Sequence, residues 1–197
     1  MMNRGERITN KTQTIIKSAL LELIQKKNYP DITVGEIAER GNIGRSTLYK
    51  HYQSKADVLV NIHKDVFEHL FNGLLTSEPW LAPEPPSELV LFFERYRMLG
   101  KNPFLLSYKL GSDLDYLMNN INLQLTSIIE KRLHKAFNEE NSTIPFPILA
   151  QSISNLYSGL MMSWFNKYQS SDSRQFATNI HRMIRALICE AIEINTT

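Results

Sequence analysis

"ITVGEIAERGNIGRSTLYKHYQSKADVL", residues 32–59, decides how the rest of the chain is read. Thr33 and Glu36 have the spacing of a capping box, in which a hydroxyl and a carboxylate reciprocally satisfy free amides at a helix start. Val34, Ile37 and Ala38 follow at helical spacing, which predicts a short helix over 33–40. Gly41 and Asn42 both tolerate positive φ, so they can end that helix and turn the chain. A second short helix is expected over 45–52. Ser54 and Asp57 then repeat the capping pattern and open a third helix. Two short helices joined by a tight turn, the second rich in small, polar and basic residues, describe a helix-turn-helix.

The chemistry of that second helix suits a DNA major groove. Arg45, Ser46 and Thr47 make a narrow polar leading turn, and Tyr49, Lys50 and His51 carry hydrogen-bond donors further along. Leu48 and Tyr52 are the positions expected to be buried, anchored against Ile16, Leu20 and Ile37. Thr33 stands at a helix N-terminus, where free amides and the dipole favour a phosphate. Lys55 sits in the first turn of the next helix, where a cation is unfavourable unless a phosphate lies beside it.

This stretch resembles the DNA-binding signature of the TetR (tetracycline repressor-like) family of transcriptional regulators. Thr33, Ile37, Ala38, Thr47, Leu48, Tyr49, His51, Ser54 and Lys55 stand where that pattern has the same residues. Tyr52 replaces its usual Phe and Val58 its usual Leu. Asn42 takes the place of a turn glycine, and Gly44 that of a Ser or Thr cap. The resemblance implies that Arg45, Ser46, Thr47 and Lys50 face base edges or nearby phosphates. Tyr49, His51, Lys55 and Thr33 would clamp the backbone.

Charge divides along the chain in the same sense. Residues 1–64 hold 11 Lys+Arg against 6 Asp+Glu, whereas the remainder holds 11 against 14. A basic first third on a mildly acidic body points to a polyanionic partner at one end.

Nearly every other segment has helical period, so the expected fold is all-α. Ile16, Ala19, Leu20, Leu23 and Ile24 predict a helix over 10–27, with Asn10 and Gln13 as a capping pair. The helix opened by Ser54 is expected to run to about 75, with Leu59, Ile62, Val66, Leu70 and Leu74 inward. "TSEPWLAPEPP" at 76–86 contains four prolines and is expected to be a linker. Further helices are expected over 87–101, 103–109, 112–138, 147–168 and 173–193, with "EENSTIPFP" at 139–147 separating the last pair. The resulting architecture is an N-terminal three-helix head joined by a long fourth helix to a C-terminal bundle. The expected division is 1–53 for DNA binding and 54–197 for ligand binding and dimerisation.

Bulky groups along several C-terminal helices suit an apolar cavity, because bundles bind ligands between their helices. The candidates are Phe67, Phe71, Phe92, Tyr96, Phe104, Tyr108, Met118, Ile121, Tyr157 and Met161. Acidic and aromatic residues together hint at a hydrophobic, cationic ligand. The resemblance implies that the last two helices pair with their copies in a homodimer. Their interface would use Leu149, Ile153, Leu156, Leu160, Trp164, Phe176, Ile180, Met183 and Leu187.

Other function classes find less support. The five histidines, at 51, 63, 69, 134 and 181, form no metal-type pair, and no phosphate-cradling glycine loop or catalytic constellation is evident. No metal, no cofactor and no enzymatic activity are therefore expected. Cys189 is the only cysteine, which fits a reducing cytoplasm. The longest apolar runs, such as "LVLFF" at 89–93, fall far short of the roughly 18 residues of a membrane span, and the N-terminus lacks the apolar core of a secretory signal. The expectation is a cytoplasmic homodimeric repressor, released from a palindromic double-stranded DNA operator by a small-molecule effector. The alternative is a TetR-like coactivator acting mainly through a protein partner.

Overall fold

The computed structural model describes residues 4–98, 110–168 and 170–192, with the side chains of 4–7, 96, 98 and 166 excepted. All regular elements among these residues are helical, and the one bridge of extended backbone joins Ser142 to Ile192. Nine α-helices are described: α1 (Arg4–Ile24), α2 (Val34–Arg40), α3 (Arg45–Tyr49), α4 (Lys55–Leu70), α5 (Ser77–Leu81), α6 (Ser87–Met98), α7 (Leu114–Ala136), α8 (Phe146–Ser163) and α9 (Ser173–Ala191). The helix expected over 103–109 lies outside the described residues. No described helix is long and apolar enough to cross a membrane.

The chain divides into two compact units. The first contains residues 1–63 and 107–120, and the second contains 64–106 and 121–197. Helices α4 and α7 therefore contribute to both.

In the first unit, Ile16, Leu20, Ile37, Leu48, Val58 and Leu59 are fully buried. Ile16 and Leu20 stand four residues apart and so share one face of α1. α1 begins at Arg4, well before the expected start, so Asn10 caps nothing. It lies inside the helix, where its carbonyl accepts the Thr14 hydroxyl at 2.9 Å. Polar residues at 4–9 carry no helix-breaking proline, and the helical ladder simply extends through them.

The second unit is organised around α9, which packs against α5, α6 and α8. Its buried face is Ala177, Ile180, His181, Ile184, Ile188 and Ala191. Phe93, Trp164 and Phe176 meet in the core with centroids 4.8–5.2 Å apart, in edge or tilted geometries that suit aromatic quadrupoles. Trp164 opens a π-helical turn, Trp164–Tyr168, that continues α8.

The proline-rich stretch at 76–86 is not a free linker. It contains α5, whose Trp80 is buried. Pro79 is tolerated because it falls in the first turn, where backbone N–H groups have no intrahelical partner. The segment is fastened to α9 from the side: Arg185 Nε donates to Leu81 O at 2.7 Å, and His181 Nε2 bonds Ala82 O at 2.8 Å. Prolines report where a helix cannot run on; they do not report whether its neighbours dock.

His63 of α4 is buried, and its Nδ1 donates to Leu59 O at 2.8 Å. Burial pulls its pKa from 6.5 down to about 4. The folded state therefore keeps the ring neutral while the unfolded chain protonates near pH 6.5. Stability is complete above that pH and declines as pH falls toward 4. Urea unfolding should lose roughly 3 kcal/mol from this group across the window. His63→Phe should flatten that part of the pH profile.

Candidate nucleic-acid interface

The head's turn is built by three local devices. At the start of α2, Glu36 N donates to Thr33 Oγ1 at 3.2 Å, and Thr33 N donates to Glu36 Oε2 at 2.8 Å, which completes the capping box. At its end, Asn42 adopts φ +50°. Asn42 N then donates to Glu39 O and Ile43 N to Ala38 O, both at 3.0 Å, a Schellman closure with asparagine in the left-handed position. Gly44 caps α3 through its backbone alone, its carbonyl accepting Thr47 N at 3.0 Å and Leu48 N at 3.1 Å.

α3 is short, ending at Tyr49, with turn hydrogen bonds carrying the chain on to Tyr52. Leu48 and Tyr52 are buried, and the Tyr52 hydroxyl donates to Asn61 Oδ1 at 2.9 Å. Rooted from below, the helix leaves Arg45, Ser46, Tyr49 and Lys50 exposed, with Thr47 and His51 half-buried at the margins. The 45/49 and 46/50 pairs are four residues apart and so share one flank. Residues 41–53 contain no carboxylate side chain, so no acidic residue of the turn or of α3 itself offsets Arg45 and Lys50. Arg45 also crosses the backbone of α2: a Cβ on Gly35 would stand 2.6 Å from its Nη2.

Two proposed backbone clamps have other partners. Lys55 Nζ donates to Tyr29 O at 2.9 Å, Pro30 O at 3.0 Å and Ile32 O at 2.9 Å, and stands 4.5 Å from the Tyr29 ring centre. An ammonium has three donors, and all three are engaged. The three carbonyls hold the ammonium at the start of α4, so Lys55 is an internal tie of the head and not a free phosphate donor. Thr33 is exposed, but its hydroxyl also donates to Glu36 Oε2 at 2.9 Å. The Glu36 carboxyl is held down to about 2 by hydrogen bonds from Lys27 and Thr33, so an anion stands beside that helix start.

The expected ligand residues scatter. Phe67, Phe71, Ile121, Tyr157 and Met161 are buried, and Tyr157 packs edge-on against Phe71 with centroids 5.0 Å apart. Met118 and Phe92 are half-buried. Phe92 borders a groove of about 280 Å³ between α4 and α6, together with Val66, His69, Leu70, Leu91 and Arg95. Phe104, Tyr108 and the side chain of Tyr96 lie outside the described residues.

Of the expected dimer residues, Leu149, Ile153, Trp164 and Ile180 are buried within the chain itself. Leu156, Leu160 and Phe176 are half-buried, and Met183 and Leu187 are exposed on α9. Ile148 on α8, which sequence reasoning had not singled out, is exposed as well.

Residues 16–62 match the family described as bacterial regulatory proteins, tetR family. The head is thus similar to the heads of that family. Two curated relatives are similar to part of the chain. Over 59 residues, 30% of this chain and 16% of the relative, it is 34% identical to the HTH-type transcriptional regulator YxbF of Bacillus subtilis. Over 96 residues, 46% of this chain, it is 28% identical to DhaS, the HTH-type dhaKLM operon transcriptional activator of Lactococcus lactis. That match spans 51% of DhaS, so this chain covers about half or less of each curated relative. The fold likeness extends further. The structure of Thermus thermophilus FadR, a TetR-family transcriptional repressor in complex with lauroyl-CoA, aligns with 94% of this chain and 98% of its own, with TM-score 0.56 and 15% identity. Residues 16–62 thus resemble the helix-turn-helix region of that family, and the described residues share the all-α fold of that solved structure.

The glycine cap of α3 gives a direct test of this local geometry. A Cβ at Gly44 would meet Ser46 Oγ at 3.6 Å and Thr47 Oγ1 at 3.7 Å, ordinary contact distances. Gly44→Ser should therefore raise stability by a few tenths of a kcal/mol, whereas Gly44→Ala, which offers no acceptor, should lower it. Urea midpoints of the two variants check the opposite signs.

Proposed function

We propose that the protein is a homodimeric repressor that holds a palindromic operator and is released by a small hydrophobic ligand. The reading rests on one observation above all: α3 exposes Arg45, Ser46, Tyr49 and Lys50 while Leu48 and Tyr52 are buried beneath it. Arg45, Ser46, Thr47 and Lys50 are assigned to base edges and adjoining phosphates, and Tyr49 and His51 to the backbone. Residues 1–53 serve as the DNA-binding domain and 54–197 as the ligand-binding and dimerisation domain, in the cytoplasm. The exposed apolar Ile148, Met183 and Leu187 favour self-association through α8 and α9. The half-buried Phe92 and Met118 are the described candidates for ligand contact that retain accessible surface. The fold shared with FadR, whose structure contains lauroyl-CoA, supports an acyl-type or similarly apolar effector.

A second reading, transcriptional activation, is favoured by the similarity to DhaS, which is described as an activator. A reporter placed behind the bound sequence separates the two by the sign of its response.

The DNA reading is tested by fluorescence anisotropy on duplexes selected from a random pool. Lys50→Ala should weaken binding across sequences and reduce the salt slope by about one, as expected for loss of a phosphate contact. Tyr49→Ala should weaken binding with little change in Tm, because its side chain is exposed. Unchanged affinity in both variants, or a binding constant indifferent to salt, would count against it.

A further inference from the structure

The helix-turn-helix is held at both flanks by the 3-10 turn Gly111–Asp113 and the first turn of α7, a segment more than fifty residues downstream. Before α2, the buried Tyr29 donates its hydroxyl to Asp113 Oδ2 at 2.9 Å. After α3, the Tyr116 hydroxyl donates to Asp57 Oδ1. Asp57 has a second task, since its Oδ2 accepts Ser54 N at 2.9 Å and Ser54 Oγ at 3.1 Å and so caps α4. The Tyr29 side is tied inward by Lys55, whose ammonium holds the carbonyls of 29, 30 and 32, the residues that lead directly into the Thr33 cap. Gly111 makes the approach possible. It adopts φ +61°, a backbone conformation that favours glycine, and lies within contact reach of Pro30.

These two bonds are mirror images in chemistry. One pairs a head tyrosine with an α7-side carboxylate; the other pairs an α7 tyrosine with a head carboxylate. Both hydroxyls have pKa values raised, Tyr29 mainly by burial and Tyr116 mainly by its bond to Asp57, so both remain donors. Hydrogen bonds to an ionised acceptor are stronger than neutral ones.

We propose that Asp113 and Tyr116 are positioning residues for the recognition helix: together with Tyr29 and Asp57 they form a clasp that closes both ends of the helix-turn-helix. Through it the first turn of α7 governs how firmly α2 and α3 are ordered, and hence how tightly DNA is held. The proposal rests on the DNA-binding reading above.

The test uses the full chain and the variants Asp113→Ala, Asp113→Asn, Tyr116→Phe and the Asp113→Ala/Tyr116→Phe double. Amide hydrogen exchange is followed at 32–36, 54–58 and, as a control, 149–161; affinity is measured on duplexes selected with the wild type. In the double variant, exchange at both flanks should quicken by about tenfold while the control is unchanged, and duplex affinity should fall several-fold. Asp113→Asn, which retains an acceptor for Tyr29, should preserve protection at 32–36. Flank exchange that is unchanged, or that rises equally in the control, overturns the clasp. Faster flanks with undiminished affinity overturn its positioning role. A wild type that selects no duplex defeats the DNA reading instead, and the exchange data alone then decide whether the clasp exists.

Discussion

Burial of Leu48 and Tyr52 is the constraint on which the head depends. α3 is only five residues long, too short to hold helical geometry by its own hydrogen bonds. Its stability comes from the side chains packed below it. Removing Leu48's buried side chain would cost about 2–5 kcal/mol by the usual scale for core truncations. The same burial fixes rotation about the helix axis, so Arg45, Ser46, Tyr49 and Lys50 have no choice but to face outward. Stability and display are one arrangement: the residues that bury the helix are those that aim it.

Charge reinforces that arrangement. Within the head, Lys27, Arg40 and Lys55 are engaged in structure, bonding Glu36, Glu22 and three backbone carbonyls respectively. Cations with no carboxylate along their own stretch lie at Arg45 and Lys50. The distinction separates cations that hold the head together from those available to a polyanion. A count of basic residues alone cannot make it.

The local elements were legible because each carries its own signal. The Thr33/Glu36 and Ser54/Asp57 boxes marked two helix starts, and Asn42 marked the turn, all within a few residues of the atoms they bond. Features that depend on distant partners were not legible. Lys55 looked like a phosphate ligand because the carbonyls that satisfy it lie 23–26 residues earlier in the chain. α5 was hidden by its prolines, and its docking to His181 and Arg185 spans about a hundred residues. On α9 apolar residues occur on more than one side, so period alone could not choose between the buried stripe through Ile184 and the exposed pair Met183 and Leu187. The Tyr29–Asp113 bond crosses 84 positions between two ordinary polar residues, and nothing in either neighbourhood announces it.

In the proposed function, two copies of α3, each rooted by Leu48 and Tyr52, enter successive major grooves of one duplex. Hydroxyl-radical footprinting on fragments selected from random DNA tests it most directly. Paired protected stretches should appear, related by two-fold symmetry and centred about 34–36 Å apart, or a whole multiple of that spacing. A single protected stretch, or two at a spacing out of phase with the helical repeat, would contradict it.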